Sequence, residues 1–393
     1  MVLLRSKWGQ AGHLLPLCGA QYGTPTTIQS KRFSFYQRGM LPVTFSLTSH
    51  RRTGNGWSRR GHSISYSSSP VLELGPEKKS SYYGLSWEMR FDWEDDYVMV
   101  SSGLPYSYTR LIQQVRSVQE KCKTSGVTFS MGSVAHSLSN NQVPYLTLTK
   151  DHEHTLENVE VGLDKPAQVR AKPVVFVMAR QHPGETHSSF LMGEMLNELA
   201  SGSTLSRTLL EHYEFHLVPM VNVDGVIYGN FRCDLAGFDL NRVWKHPIRE
   251  LHPQVFAIKE QLAGLRATGR PIAACLDLHS HSKLANVFSY CCKTDEVESR
   301  LFSYMLSRRD PLFHFPSCTF GLSRDKLTTG RAVLFHTARH HHVITIEISA
   351  MGGQKGREIS PMQPSDLALL AQNILQTQYD YQFSTDILQS FRR

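Results

Sequence analysis

The feature that most restricts this chain is an alternation that begins near residue 108. Helical spacing over 108–123 and 188–200 is interleaved with apolar runs of strand length at 174–178, 215–220, 272–278 and 343–348. Strands that are apolar on both sides must be covered on both faces, and helices of this size can cover them. The pattern predicts an α/β fold, with a mixed, mostly parallel sheet flanked by helices and functional loops at the strand ends.

Ahead of this region the grammar differs. Residues 33–100 hold short alternating segments at 43–47, 62–66 and 85–91, separated by turns rich in Gly, Ser, Pro and Arg, which predicts a small antiparallel β unit. Three units are therefore expected: a basic N-terminal extension at 1–32, disordered or targeting; a β-sandwich-like domain at 33–103; and the α/β domain at 104–385.

Charge is distributed unevenly along these units. The net charge is +8, and residues 1–72 carry nine Lys or Arg and no Asp or Glu. Such a start fits a mitochondrial transit segment, and its field would equally draw an acidic protein or a nucleic acid. No apolar run approaches the ~18 residues needed to span a bilayer. The seven cysteines are odd in number and form no CxxC pair, which fits a reducing, intracellular setting.

Chemistry concentrates at the strand ends. Gln181-His-Pro-Gly-Glu-Thr186 follows the 174–178 run, placing an imidazole and a carboxylate three positions apart where a loop enters a helix. Four such residues alone also fit a helix start, with Glu185 complementing the macrodipole. A second donor comes from Asp277-Leu-His279-Ser-His281, on the run at 272–278, so His279 reaches the same sheet edge. Two His and one Glu are an established set for catalytic zinc, which keeps an open position. Asp277 points the same way as His279 in an extended chain and can orient its ring, while His281 is the rival ligand.

Glu347 is a carboxylate in the apolar strand sequence Val343-Ile-Thr-Ile-Glu-Ile348. Burial of that kind needs a purpose, either an ion pair with an Arg or a place beside the metal as general acid/base. Between the ligand motifs, the loop-like stretch 222–244 contains Asn241-Arg242, a pair suited to gripping a terminal carboxylate. The triple His340-His-His342 precedes the last strand and reads as a solvated turn.

HPGE, NVDGV, GNFRCDLAGFDLNR, DLHSHS, TGRAVLF and ITIE, in this order, resemble the cytosolic carboxypeptidases, the tubulin-deglutamylating branch of the funnelin zinc metallocarboxypeptidases. The resemblance implies one Zn2+ on His182, Glu185 and His279, with Glu347 as general acid/base and Arg232 polarising the scissile carbonyl. It implies Asn241 and Arg242 on the terminal carboxylate, and Arg331, with Lys326 as a second candidate, in a pocket for an acidic side chain. The implied activity removes glutamates from acidic tails or polyglutamate chains such as those of tubulin, with no nucleic acid or membrane partner, in a cytoplasmic, cytoskeletal or ciliary setting.

Two departures stand out: Ile344 occupies a position where that family usually has Tyr, and no active-site tyrosine is evident over 315–346. Three other readings remain: an aspartoacylase-like amidohydrolase of small acylated amino acids, a non-catalytic microtubule-binding adaptor, and a mitochondrial peptidase.

Overall fold

A computed structural model describes residues 2–5, 34–69, 82–150, 172–292, 297–338 and 342–391. Its centre is an eight-stranded sheet ordered Thr319–Phe320, Val287–Cys291, Val343–Ser349, Ile272–His281, Val174–Ala179, Glu214–Val218, Gln142–Thr149, Thr128–His136. The four strands from Val343–Ser349 to Glu214–Val218 run parallel, and antiparallel pairings adjoin them on both sides. Every residue of Val174–Ala179 is buried, as a strand covered on both faces requires. Helix Thr186–Leu199 packs on the sheet and is covered in turn by Pro364–Phe391, while Pro253–Ala267 packs on Gly330–Ala338.

Local chemistry explains the element ends. The helix Tyr108–Ser125 opens where Ser107 accepts from the Arg110 N–H and closes at Gly126, whose φ of 70° suits a residue without Cβ. Its inner face buries Leu111, Val115, Val118 and Cys122, an amphipathic spacing. The expected strand at 43–47 stops at Ser46, because the Ser46 side chain accepts from Ser49 N–H and starts the helix Leu47–Thr53.

The N-terminal unit contains a four-stranded antiparallel sheet, Val2–Arg5, Tyr97–Ser101, Val43–Ser46, Ser58–Arg59, and a hairpin of His62–Ser69 with Tyr82–Glu88. Its core of Tyr36, Leu85, Trp87, Val98 and Val100 also buries Met351, so it is packed onto the larger body. Of the extension expected at 1–32, Val2–Arg5 is a strand and the remainder lies outside the described residues. His340 and His341 lie outside them too. His342 is not solvated: it is buried, its ring centroid 4.5 Å from that of Phe302 and 4.3 Å from that of Tyr381, because the strand Val343–Ser349 begins inside the core.

Among the described residues no helix is long and apolar enough to cross a membrane.

Candidate metal centre and substrate cleft

Three neighbouring strands supply the site. In their register His279 stands beside Glu347, and Asp277 lies between Met178 and Thr345. The strand carrying His279 continues to His281, beyond the end at 278 that the apolar run suggests. The strand Val174–Ala179 ends at Arg180, whose φ of 61° is left-handed, an uncommon conformation for a residue with a Cβ. Its buried guanidinium donates to the Pro183 carbonyl (2.8 Å) and Ser189 Oγ (2.9 Å), holding the loop that turns His182 and Glu185 inward.

His182, Glu185 and His279 come together, with potential ligand atoms within 4.8 Å of one another. His182 Nδ1 lies 2.8 Å from Glu185 Oε1, and His279 Nδ1 lies 2.9 Å from Glu185 Oε2. The two outer nitrogens face other carboxylates: His182 Nε2 is 2.9 Å from Asp239 Oδ1, and His279 Nε2 is 3.0 Å from Asp277 Oδ2. Such outer carboxylates fix ring orientation and tautomer at metal-binding histidines. Two inward imidazole nitrogens and one carboxylate therefore fit a zinc ion with a position left open. His281 does not join the cluster; its Nδ1 accepts from the Lys283 and Leu284 N–H groups.

Burial pushes Glu185 up, but the imidazoles of His182 and His279 outweigh it and hold the carboxyl well below its usual range. For His279 burial pushes down, and Asp277 and Glu185 together raise it well above the ordinary histidine value. Glu347 behaves differently. Burial dominates, His279 partly opposes it and Glu185 adds to it, so its carboxyl is raised to about 7. Among the described residues no ion pair to Glu347 is formed.

Of the residues expected to meet substrate, Arg232 and Asn241 are tied to this centre by hydrogen bonds. Arg232 Nε donates to Asp239 Oδ2 at 2.7 Å, so Asp239 ties Arg232 to His182. The stretch 222–244 is not wholly loop: it contains the helix Val223–Ile227 and the 3-10 turn Leu240–Arg242. Asn241 Nδ2 is 3.3 Å from His279 Nε2, and its Oδ1 accepts from the Gly330 N–H at 2.8 Å. Arg242 Nη1 donates to the Asn241 carbonyl at 2.7 Å. Arg331 is buried and donates to the Cys291 carbonyl at 3.2 Å. Lys326 is half-exposed and bound to Asp325 at 2.5 Å.

Three participants escaped the sequence reading. Asp239 stands two residues before Asn241 in a motif read for its Asn and Arg, and only the fold shows that it reaches His182. Gln181 Nε2 donates to both Asp277 oxygens, and its Oε1 accepts from Trp244 Nε1 at 2.8 Å, forming a buried chain that ends on His279. A polar residue next to His182 and a tryptophan just after Arg242 were the available signals.

The family described as zinc carboxypeptidase matches residues 113–307. The chain is 31% identical over 370 residues to cytosolic carboxypeptidase 1 of Danio rerio, covering 88% of this chain and 31% of that protein. It is 32% identical over 349 residues to cytosolic carboxypeptidase 1 of Homo sapiens, covering 83% and 28%. The chain thus spans about a third of the length of these relatives. Among solved structures, a metallo-carboxypeptidase from Burkholderia cenocepacia superposes with a TM-score of 0.66 at 20% identity, covering 89% of this chain and 82% of that one. A metallo-carboxypeptidase from Pseudomonas aeruginosa, in complex with (2-guanidinoethylmercapto)succinic acid, gives 0.66 at 20% identity, covering 88% and 81%. At that identity the likeness speaks for the fold.

Proposed function

From the premise that this chain belongs to the zinc carboxypeptidase family, with cytosolic carboxypeptidases as its relatives, we propose that it hydrolyses the last peptide or isopeptide bond of chains ending in glutamate. Acidic protein tails, polyglutamylated tubulin among them, are the proposed substrates, and the cytoplasm the proposed setting. The observation that carries the reading is the closure of His182, Glu185 and His279 around one point, with Glu347 beside His279 on the neighbouring strand.

Each residue then has a task. Zinc, held by His182, Glu185 and His279, would supply Lewis-acid polarisation of the scissile carbonyl and of the attacking water. Glu347 takes the proton from that water on its carboxylate and passes it to the departing amine, one group serving both halves of the hydrolysis. Arg232, steadied by Asp239, donates to the carbonyl oxygen as negative charge develops there. Asn241 and Arg242 receive the terminal carboxylate, fixing which bond lies at the centre. Arg331 faces the acidic side chain, whereas Lys326, engaged by Asp325, adds at most to the field around the cleft.

The test is mass spectrometry of the purified protein incubated with polyglutamylated tubulin, with and without a chelator. Stepwise loss of glutamate masses that stops on chelation is expected. No loss, or loss that a chelator leaves untouched, defeats the reading.

A further inference from the structure

Among the described residues, the side chain of Arg331 has no counter-charge paired with it. The residue is 7% exposed, its Nη1 spends one hydrogen bond on the Cys291 carbonyl, and no carboxylate pairs with it among the described residues. A buried guanidinium without an anion is costly, so its position marks where a ligand's negative charge belongs. The Tyr290 side chain adjoins the same space. Tyr290 lies under the guanidinium, 5.4 Å from Arg331 Cζ to the ring centroid.

Strand register carries Tyr290 to the reacting centre as well. Phe288 stands opposite Glu347 and Tyr290 opposite Thr345, and alternate residues of a strand share a face, so Tyr290 and Glu347 lie on one face a single row apart. That diagonal is about 7–8 Å, close enough for one terminal residue to meet both. We propose that Tyr290 is a specificity-determining residue, its phenol hydroxyl donating to the same side-chain carboxylate that Arg331 neutralises.

This rests on the carboxypeptidase reading and sharpens it: the pocket selects glutamate by a charge and a hydroxyl acting together. Burial and then the Glu347 charge raise the phenol to about 12, so at neutral pH it keeps its proton and can only donate to an anion. Packing alone accounts less well for it, because Phe in place of Tyr would fill the same space beside Phe288, whose ring centroid is 5.6 Å away.

Tyr290→Phe tests the proposal, since it removes the oxygen and keeps the ring. With peptides ending in Glu or Gln, the variant should raise KM for the Glu-ended peptide about tenfold, equivalent to ~1.4 kcal/mol, with kcat and the Gln-ended peptide little changed. Calorimetric titration of the zinc-loaded protein with free L-glutamate should show the same weakening without turnover. An unchanged Glu-to-Gln ratio and unchanged glutamate binding overturn the proposal, as does an equal fall in kcat on both peptides, which would place the hydroxyl at the scissile bond. Failure of the wild type to cleave either peptide counts against the carboxypeptidase reading, while the glutamate titration still decides Tyr290.

Discussion

Gln181 holds Asp277 with a single amide nitrogen, 2.9 and 2.8 Å from its two carboxylate oxygens. Asp277 in turn faces His279 Nε2 at 3.0 Å, so the amide fixes the carboxylate that fixes the imidazole. Removing the charge by Asp277→Asn should weaken zinc affinity about 10–100-fold, as outer-ligand changes do. Competition with a chromophoric chelator measures it, and an affinity equal to the wild type's would show that the Gln181–Asp277 pair is packing only.

Glu347→Gln keeps the shape of the side chain and removes its capacity to accept a proton. Zinc content by mass spectrometry should remain one per chain, while kcat falls by about 10²–10⁴-fold. Loss of zinc along with activity would instead make Glu347 part of the metal's hold.

Arg242→Ala should raise KM about tenfold or more for peptides with a free C-terminal carboxylate, because a charge-assisted hydrogen bond is lost. Lys326→Ala, by contrast, should leave KM within about twofold, since Lys326 is half-exposed and already occupied by Asp325. The reverse ranking in steady-state kinetics would exchange their assignments.

Gly184 sits in the loop between the two proposed ligands His182 and Glu185, its N–H bonded to the Phe231 carbonyl at 2.7 Å. A Cβ there would lie 2.5 Å from the Phe231 ring and 2.8 Å from the Phe231 carbonyl oxygen. Gly184→Ala should therefore shift Phe231 and the ligand loop together, costing about 1–3 kcal/mol in denaturant unfolding and lowering zinc affinity. Wild-type values for both would mean that the neighbouring loop yields freely.

Asp234 is buried, with Oδ1 accepting the Phe238 N–H at 2.8 Å and Oδ2 unpaired among the described residues. Burial raises its carboxyl to about 6. A carboxyl raised on folding contributes stability below its unfolded value, near 3.8, and that stability is lost as pH climbs through about 6. Asp234→Asn should thus gain on the wild type between about pH 4 and 6, by on the order of 2–3 kcal/mol. Parallel denaturation curves with no pH trend in their difference would contradict this.

Most of the α/β framework was legible because apolar strands leave a mark in sequence. The runs at 174–178, 215–220, 272–278 and 343–348 correspond to four adjacent parallel strands. His182, Glu185 and His279 could be grouped because two runs end on one edge, and Glu347 because a carboxylate is conspicuous among Val and Ile. Asp239, Trp244 and Tyr290 were less visible, for a physical reason. Their relevance depends on cross-strand register and on loops folding over the sheet edge, neither of which leaves a period in the sequence. His342 shows the same limit, since three consecutive histidines look hydrophilic until the core behind them is known.

Asn241 carries a consequence for anyone altering the proposed preference for acidic ends. One amide end abuts the ring of His279 and the other receives Gly330, the residue that leads into Arg331. On the proposed reading, selectivity and metal retention are mechanically joined at that point. A loop redesigned to accept a neutral terminus would tug on the imidazole, and libraries at 329–331 should be screened for zinc occupancy as well as for the new substrate.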